Sequence, residues 1–395
     1  MRMQLADFRG TQGAGPTELV QPRVLICIPT LGGGGAERQI RLLARPLVER
    51  GIHLSLFSRL TDADAASMTE AGIRCFSLEA RGNHNPRLLL ELFRAVRLTD
   101  ADLVHTFLSQ MDILGGIAAL TLRKPWLLSE RSSPLAYPRS GKSSLRAWLG
   151  RRADAVVANS AYGLEVWPNH PTHHVIANGI DLAAIERAPI DFLAGREALR
   201  GRTVIVSVAR LSAEKRLERL IGAVQRVKRA IPDLLLVLAG SGPEEESLRA
   251  HAAALGVQDH VLFAGFRSDV WSWLKHASVF VSPSLFEGQP NAVLEAAAAG
   301  IPQVLSAIPM HRHAVGNEGA LFVSPDDEEQ LAIAILSHLK DPAAARRIAA
   351  AARKEVEMLS IDRSADQLAK LYRGILAPRR ACADQAEACD RASGS

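Results

Sequence analysis

Short runs of apolar and β-branched residues recur along the chain, and segments with helical periodicity separate them. The runs cover residues 24–29, 53–58, 75–78, 103–106, 126–129 and 155–158 in the first half, and 203–209, 234–239, 261–264, 277–281 and 303–306 in the second. Runs that are apolar throughout are typical of strands buried on both faces of a parallel sheet. Strands that alternate with helices predict an α/β fold with doubly wound parallel sheets.

The stretch 282–300, SPSLFEGQPNAVLEAAAAG, predicts a loop and a helix directly after a buried strand. Pro290 suits the first turn of the helix, and Gly300 suits its end. A helix that begins at the carboxyl end of a parallel strand offers free N–H groups to a phosphate. Glu287 and Glu295 bracket this turn, and because a phosphate repels them, they suit hydroxyl groups of a ribose or a sugar. An ordinary turn with a solvated Glu287 is the alternative.

A glycine-rich loop, residues 32–35, follows the first predicted strand. Glycine lets the backbone approach a ligand closely, which raises a dinucleotide hypothesis. The GxGxxG pattern fails, because its third position falls on Glu37 or Arg38. Arg59 ends the second strand where an NAD enzyme usually has an acid, so only an NADP site stays open as an alternative.

Composition narrows the class of protein. The chain has 395 residues, 48% of them hydrophobic, which is enough for two sizeable cores. Its net charge of +5 is compatible with phosphorylated substrates or an anionic membrane, and its 5% aromatic content argues against a nucleic-acid binder. The four scattered cysteines form no CxxC pair, so we expect a reducing compartment and no zinc.

No signal peptide and no run of about eighteen apolar residues is recognisable, so we expect a cytoplasmic protein without a transmembrane helix. The basic segment 139–152 (RSGKSSLRAWLGRR) could instead lie on the inner face of the cytoplasmic membrane as an amphipathic helix. We favour an ordinary helix that buries its Trp148 and leucines against the sheet.

The segment Glu287-Gly-Gln-Pro-Asn-Ala-Val-Leu-Glu295, with a trailing Ala-x-Gly-x-Pro, resembles the nucleotide-sugar signature of retaining GT-B glycosyltransferases of family 4 (GT4). Gly-Gly-Ala-Glu-Arg after the first strand and Asn178-Gly179 resemble the same family. The resemblance implies a GT-B fold of two Rossmann-like domains with a cleft between them. The expected parts are a disordered lead (1–22), an acceptor-side domain (23–190), a nucleotide-sugar domain (191–360), a terminal helix crossing back to the first domain (361–376) and a disordered tail (377–395).

The resemblance also implies roles for individual residues. Arg210 and Lys215, which follow a strand end as cations suited to a diphosphate, neutralise the leaving group, and Glu287 holds sugar hydroxyls as the third catalytic residue. Glu295 holds the ribose, and the other expected donor-binding residues are Gly33, Gly34, Gly240, Gly242, Phe266, Pro290, Asn291 and Ala292. His105, at a strand end, is a candidate contact to the sugar or the acceptor. The family pattern has a second residue close to this histidine, and in this sequence that position is either Phe107 or Gln110. A His105 that is buried and hydrogen-bonded is the alternative.

The implied activity is transfer of a sugar from a nucleotide diphosphate sugar to a hydroxyl group, with retention, in polysaccharide or lipid-linked glycan synthesis. UDP is the expected nucleotide, with GDP next, and a glycan or lipid-linked molecule is the expected acceptor. No cofactor or metal is expected, and Asp62-Ala-Asp64 lies in the wrong domain for a donor metal. A nucleotide-sugar 2-epimerase and a non-catalytic sugar-nucleotide-binding protein are the alternatives.

Overall fold

The computed structural model describes residues 21–77, 85, 87–137, 140–189 and 199–393, with side chains up to residue 377. The predicted lead, 1–22, therefore lies outside the described residues except for its last two. The segment 190–198, at the predicted boundary between the two domains, also lies outside them.

The first sheet contains seven parallel strands in the order β3-β2-β1-β4-β5-β6-β7. Its strands are β1 (Arg23–Thr30), β2 (His53–Arg59), β3 (Arg74–Ser77), β4 (Leu103–Phe107), β5 (Trp126–Glu130), β6 (Ala155–Ala158) and β7 (His173–Val175). The strand order reverses at β1, which pairs with β2 on one side and β4 on the other. Ligands of open parallel sheets bind at this kind of switch point, beyond the carboxyl ends of the strands.

The second sheet contains six parallel strands in the order β10-β9-β8-β11-β12-β13. Its strands are β8 (Thr203–Val208), β9 (Leu234–Ala239), β10 (Val261–Gly265), β11 (Val279–Ser282), β12 (Gln303–Ser306) and β13 (Leu321–Val323). The order reverses at β8, which lies between β9 and β11. The loops after β8 and β11, which carry Lys215 and Glu287, therefore leave the sheet side by side.

Helices cover the sheets, as the hydrophobic pattern predicts. They are α1 (Gly35–Glu49), α2 (Asp62–Glu70), α3 (Arg87–Leu98), α4 (Leu108–Thr121), α5 (Gly141–Gly150), α6 (Ala161–Leu164), α7 (Leu182–Arg187), α8 (Leu217–Val227), α9 (Glu245–Ala254), α10 (Val270–His276), α11 (Asn291–Ala298), α12 (Pro309–Val315), α13 (Glu328–Lys340), α14 (Pro342–Val356) and α15 (Ile361–Ser393). In α8, for example, buried residues recur at helical spacing: Leu217, Leu220, Ile221 and Val224.

The chain passes between the two cores twice. Ile180 and Ile185 pack in the core of the second sheet. The second domain, defined by which core its residues join, therefore begins before residue 190. The terminal helix returns to the first domain, where Leu368, Tyr372 and Leu376 join the core that contains β1 and α1. The order of elements and the two parallel sheets confirm the predicted GT-B architecture.

One local prediction differs from the structure. The helix α15 continues to Ser393, through the segment predicted as a disordered tail. Asp62 and Asp64 lie on α2, where Thr61 and Asp64 form a capping box and Asp64 pairs with Arg41. The capping box and the ion pair give Asp64, the second acid of the Asp-x-Asp pattern, a structural role. His311 lies on α12.

Within the part of the chain that the structure describes, no helix combines the length and the apolar character needed to cross a membrane.

Candidate active site

A pocket of about 500 Å³ lies in the cleft between the carboxyl ends of the two sheets. Most of the predicted donor-site residues line it. They are Gly33, Gly34, Arg210, Lys215, Gly240, Phe266, Glu287, Pro290, Asn291, Ala292 and Glu295. The fold thus brings together residues from five separate stretches of the sequence, as expected where two parallel sheets present their switch points to each other.

The loop after β8 supplies two cations. Arg210 is exposed on the cleft wall, and Lys215 closes a single 3₁₀ turn, Ala213–Lys215. Gly240 lies beside this loop with φ +149°, and a Cβ there would lie 1.8 Å from the carbonyl oxygen of Ala209. Only glycine allows this close approach of the β8 and β9 loops.

The loop after β11 supplies the carboxylate that faces Lys215. The Lys215 ammonium donates to Glu287 Oε1 at 2.7 Å, and both side chains remain partly accessible in the pocket. A Cβ at Gly288 would lie 2.6 Å from the carbonyl oxygen of Arg131, in the loop after β5. This glycine therefore lets the loop pack directly against the first domain.

Glu295 lies on the first turns of α11, with its side chain only 6% exposed. Burial raises the pKa of Glu295, and the positive charge of Arg38 and the neighbouring Trp271 indole oppose that shift. The Arg38 Nε is 2.7 Å from Glu295 Oε1, so the first domain supplies the counter-charge. Arg38 has no predicted role, and its only signal in the sequence is its place in the Gly-Gly-Ala-Glu-Arg segment.

The glycine-rich loop reaches across the cleft to the second domain. A Cβ at Gly33 would lie 2.6 Å from two ring carbons of Phe266, so a larger residue here would require the exposed Phe266 ring to move. Glu37, in the first turn of α1, also lines the pocket. Burial raises the pKa of Glu37, and the charges of Arg41 and Arg210 oppose the shift.

Amide groups connect the two domains beside the pocket. The Asn178 backbone N–H donates to Gln289 Oε1 at 2.6 Å, and its Nδ2 donates to Asn291 Oδ1 at 2.6 Å. Asn291 Nδ2 in turn donates to the Gly35 carbonyl at 3.1 Å. The sequence offered Asn178-Gly179 only as part of the family resemblance and gave no signal for Gln289, because nothing local shows which distant groups these side chains reach.

Three predicted site residues do not line the pocket. His105 is fully buried, with Nδ1 2.8 Å from the Tyr372 hydroxyl and Nε2 2.7 Å from the Ser129 hydroxyl. Burial, together with the charge of Arg131, holds the pKa of His105 well below its usual value. The structure therefore shows the interior, hydrogen-bonded histidine that was the alternative.

Gln110 and Gly242 also lie elsewhere. Gln110 is on the first turn of α4 and is partly buried. Gly242 packs on the loop after β8, where a Cβ would lie 2.2 Å from the Leu211 carbonyl oxygen. Gly242 thus supports the shape of the Arg210 loop without facing the pocket.

His311 is a buried histidine beneath the Glu287 loop. Its Nδ1 is 2.9 Å from the Ser306 carbonyl oxygen, and its Nε2 is 3.5 Å from the Ser282 hydroxyl. Burial lowers the pKa of His311, so the neutral ring is a hydrogen-bonding support for the end of β11.

Among the described residues, no three His, Cys, Asp or Glu side chains are grouped as metal ligands.

Known families match both domains. Residues 33–184 match Glycosyltransferase Family 4, and residues 193–355 match Glycosyl transferases group 1, so together they cover about four fifths of the chain. The chain belongs to the family 4 glycosyltransferases. This membership confirms the resemblance that the Glu287–Glu295 segment carries.

Two curated relatives illustrate the range of this glycosyltransferase family. The glycogen synthase of Mycobacterium tuberculosis is 34% identical over 221 residues, which are 54% of this chain and 52% of that protein. The UDP-Gal:alpha-D-GlcNAc-diphosphoundecaprenol alpha-1,3-galactosyltransferase of Escherichia coli is 28% identical over 253 residues, 58% of this chain and 64% of that protein. The matches thus span about half the length of the first of these relatives and less than two thirds of the second.

Among solved structures, Anabaena HepE in complex with UDP and glucose is similar to this glycosyltransferase. Its TM-score is 0.78 at 20% identity, over 89% of this chain and 99% of HepE. At this identity the likeness shows the fold, two Rossmann-like domains in the GT-B arrangement.

The side chains that α5 buries are not the ones predicted. Leu149 and Arg146 are buried, whereas Trp148 is 53% exposed and stacks under the Arg152 guanidinium, whose carbon is 4.0 Å from the ring centroid. The prediction that Trp148 packs against the sheet is therefore wrong. Arg146, predicted as one of the surrounding basic groups, instead pairs with Asp112 and Glu130 in the interior.

Proposed function

We propose that this protein is a retaining glycosyltransferase that moves a sugar from a nucleotide diphosphate sugar to a hydroxyl group. The observation that carries the proposal is the convergence of Arg210, Lys215 and the start of α11 on one wall of a pocket, with the glycine-rich loop opposite. The carboxylates Glu287 and Glu295 lie at two places in the same pocket.

The chemistry follows from where charge develops. When the bond between the sugar and the nucleotide breaks, the diphosphate gains negative charge, and fixed cations beside it stabilise the transition state more than the ground state. Lys215, Arg210 and the free N–H groups at the start of α11 supply that stabilisation. Departure and attack on one face of the sugar retain the configuration without a covalent intermediate.

The carboxylates divide the donor between them. Glu287 is held by Lys215 and accepts hydrogen bonds from the sugar hydroxyls, and the buried Glu295 accepts those of the ribose. The name of the E. coli relative includes UDP-Gal and HepE was crystallised with UDP, which supports UDP as the nucleotide, with GDP next. The same relative's diphosphoundecaprenol substrate supports a lipid-linked or polysaccharide acceptor.

The proposed function also includes metal-independent catalysis and a peripheral membrane contact. The cations of the cleft take the place of a divalent ion.

On the surface, the exposed Trp148 and Leu145 of α5 lie among exposed basic residues: Lys142, Arg151 and Arg152. Such a surface suits the interface of an anionic membrane, where each basic side chain contributes about 1 kcal/mol.

The test is a panel of UDP-, GDP-, ADP- and dTDP-sugars, with binding read by thermal shift and slow donor hydrolysis read by nucleotide release. We expect one nucleotide series to raise the melting temperature and its sugar to be released slowly without acceptor. Binding without any hydrolysis or transfer would indicate a non-catalytic binding protein, and no binding at all would contradict the proposal.

A further inference from the structure

An ion pair joins the two domains inside the donor pocket. Arg38 belongs to α1 of the first domain and Glu295 to α11 of the second, and their Nε and Oε1 atoms are 2.7 Å apart. The Arg38 guanidinium carbon also lies 5.1 Å from the centroid of the Trp271 ring. Both ion-paired residues line the pocket.

The ionisation of Glu295 decides what it offers to a ligand. An ionised carboxylate only accepts hydrogen bonds and has about four acceptor positions, so one bond from Arg38 leaves room for two hydroxyl groups. A protonated carboxyl group is itself a donor and no longer matches a diol that donates twice. Because burial favours the protonated form, the group needs a permanent positive neighbour.

The surroundings of Glu295 contain one such neighbour. Its own helix, α11, has no other charged residue, and α10 presents the uncharged Trp271 indole. Arg267, which also lines the pocket, pairs with Asp269 at the start of α10. The remaining charges that line the pocket are Glu37, Arg210, Glu214, Lys215 and Glu287. Of all these groups, Arg38 alone forms an ion pair with Glu295.

We propose that Arg38 is a positioning residue for donor binding, which keeps Glu295 ionised and oriented toward the ribose and does so only when the cleft is closed. The closed-cleft condition follows from the location of the two partners in different domains. The proposal rests on the proposed function, in which Glu295 receives the ribose hydroxyls. It adds a reason for the domains to close before the ribose is recognised fully.

The experiment is titration calorimetry of UDP and GDP binding between about pH 5.5 and 8.5. The variant Arg38→Met keeps the length of the side chain but lacks its charge. At the acidic end of this range we expect the affinity of the variant for the nucleotide to fall on the order of tenfold, which corresponds to the loss of one charged hydrogen bond. Because removal of Arg38 raises the pKa of Glu295 further, the affinity of the variant relative to the wild type should recover as the pH rises. This ratio also cancels the titration of the nucleotide's own terminal phosphate, whose pKa is about 6.

Three further variants separate this role from a merely structural contact. Glu295→Gln should bind weakly at every pH, and adding Arg38→Met to it should cause little further loss. Arg38→Lys keeps the charge and should follow the wild-type pH profile with a modest loss, which also tests the proposal if Arg38→Met does not fold. Arg45→Met, exposed on the same helix and outside the pocket, is the matched control.

The outcomes distinguish the two proposals. If the wild-type protein binds neither nucleotide nor any nucleotide sugar, the proposed function fails and this inference fails with it. If the wild type binds but Arg38→Met matches it at every pH, or loses affinity equally at every pH, the proposed function stands and the role of Arg38 is overturned.

Discussion

The interior of the first domain and the cleft contain the same kinds of charged groups in different situations. In the interior, Arg146 is 4% exposed and donates to Asp112 at 2.7 Å and to Glu130 at 2.9 Å. The remaining oxygen of each acid accepts from a further side chain, Thr106 or Tyr137. Every partner belongs to the protein, so no ligand can replace one.

In the cleft, by contrast, the partners are few and the pocket is open. Lys215 and Glu287 bind each other at 2.7 Å, and so do Arg38 and Glu295, but each pair also lines a space of about 500 Å³. Breaking a fully enclosed set leaves a bare charge in the core, whereas a ligand can take over the contacts of an open pair. Charged residues therefore stabilise the fold in one region and are available for chemistry in the other.

The largest expected effect concerns the enclosed set. Arg146→Met should lower the free energy of unfolding by about 3–5 kcal/mol, because two buried carboxylates lose their counter-charge. Urea unfolding followed by tryptophan fluorescence measures it, and the exposed Arg152→Met is the control. A loss below about 1 kcal/mol would mean that the enclosed set is no more important than a surface pair.

In the cleft, Lys215→Ala should reduce turnover at saturating donor roughly a hundredfold, or about 3 kcal/mol, and affect donor binding less. The reason is that Lys215 faces charge that grows as the nucleotide departs. Arg210→Ala should behave similarly, and the double variant should lose less than the sum because both serve one charge. Lys228→Ala, outside the pocket, is the control, and a raised Michaelis constant with wild-type turnover would refute this role.

A smaller effect should appear in the pH dependence of stability. Burial raises the pKa of Asp112 to about 6, although Arg146 opposes the shift. The folded protein therefore holds a proton that the unfolded chain releases near pH 4, by its ordinary pKa of about 3.9. The stability from this group is complete below the unfolded pKa and is lost as the pH rises through about 6.

The variant Asp112→Asn isolates this term, because asparagine does not titrate. The difference in unfolding free energy between wild type and variant should shift in favour of the variant as the pH rises from about 4 to 8. Parallel curves across that range would show that Asp112 does not titrate in the enclosed set.

The smallest expected effect is that of chelation. If the cations of the cleft stabilise the diphosphate alone, turnover in EDTA should equal turnover in untreated buffer. Complete loss of turnover, restored by Mg²⁺ or Mn²⁺, would show that an ion shares the work of Lys215 and Arg210.

The parallel sheets and the Glu287–Glu295 segment could be predicted because their signals in the sequence are local. An apolar run such as 203–209 indicates a buried strand wherever it occurs, and the Glu287–Glu295 segment contains its own strand end, turn and helix start. The family membership was predictable for the same reason, since that segment is continuous in the sequence.

Other features depend on contacts between residues that are far apart in the chain. The sequence places His105 at a strand end, but only the fold brings Tyr372, 267 residues away, to its ring and closes it off from the cleft. Arg146 and Trp148 are two positions apart on α5, and only the packing of that helix decides that the arginine is buried and the tryptophan exposed.

The sequence by itself determined the two α/β domains and the positions of eleven of their thirteen strands, all but β7 and β13. It also predicted residues that suit a diphosphate and a ribose. Only the tertiary structure decided which charges are enclosed and which face the pocket, and that Arg38 meets Glu295 across the cleft. The physical reason is the distance along the chain between the residues that interact. Strand and helix formation follow from neighbouring residues, whereas burial and ion pairing depend on which elements the fold packs against each other.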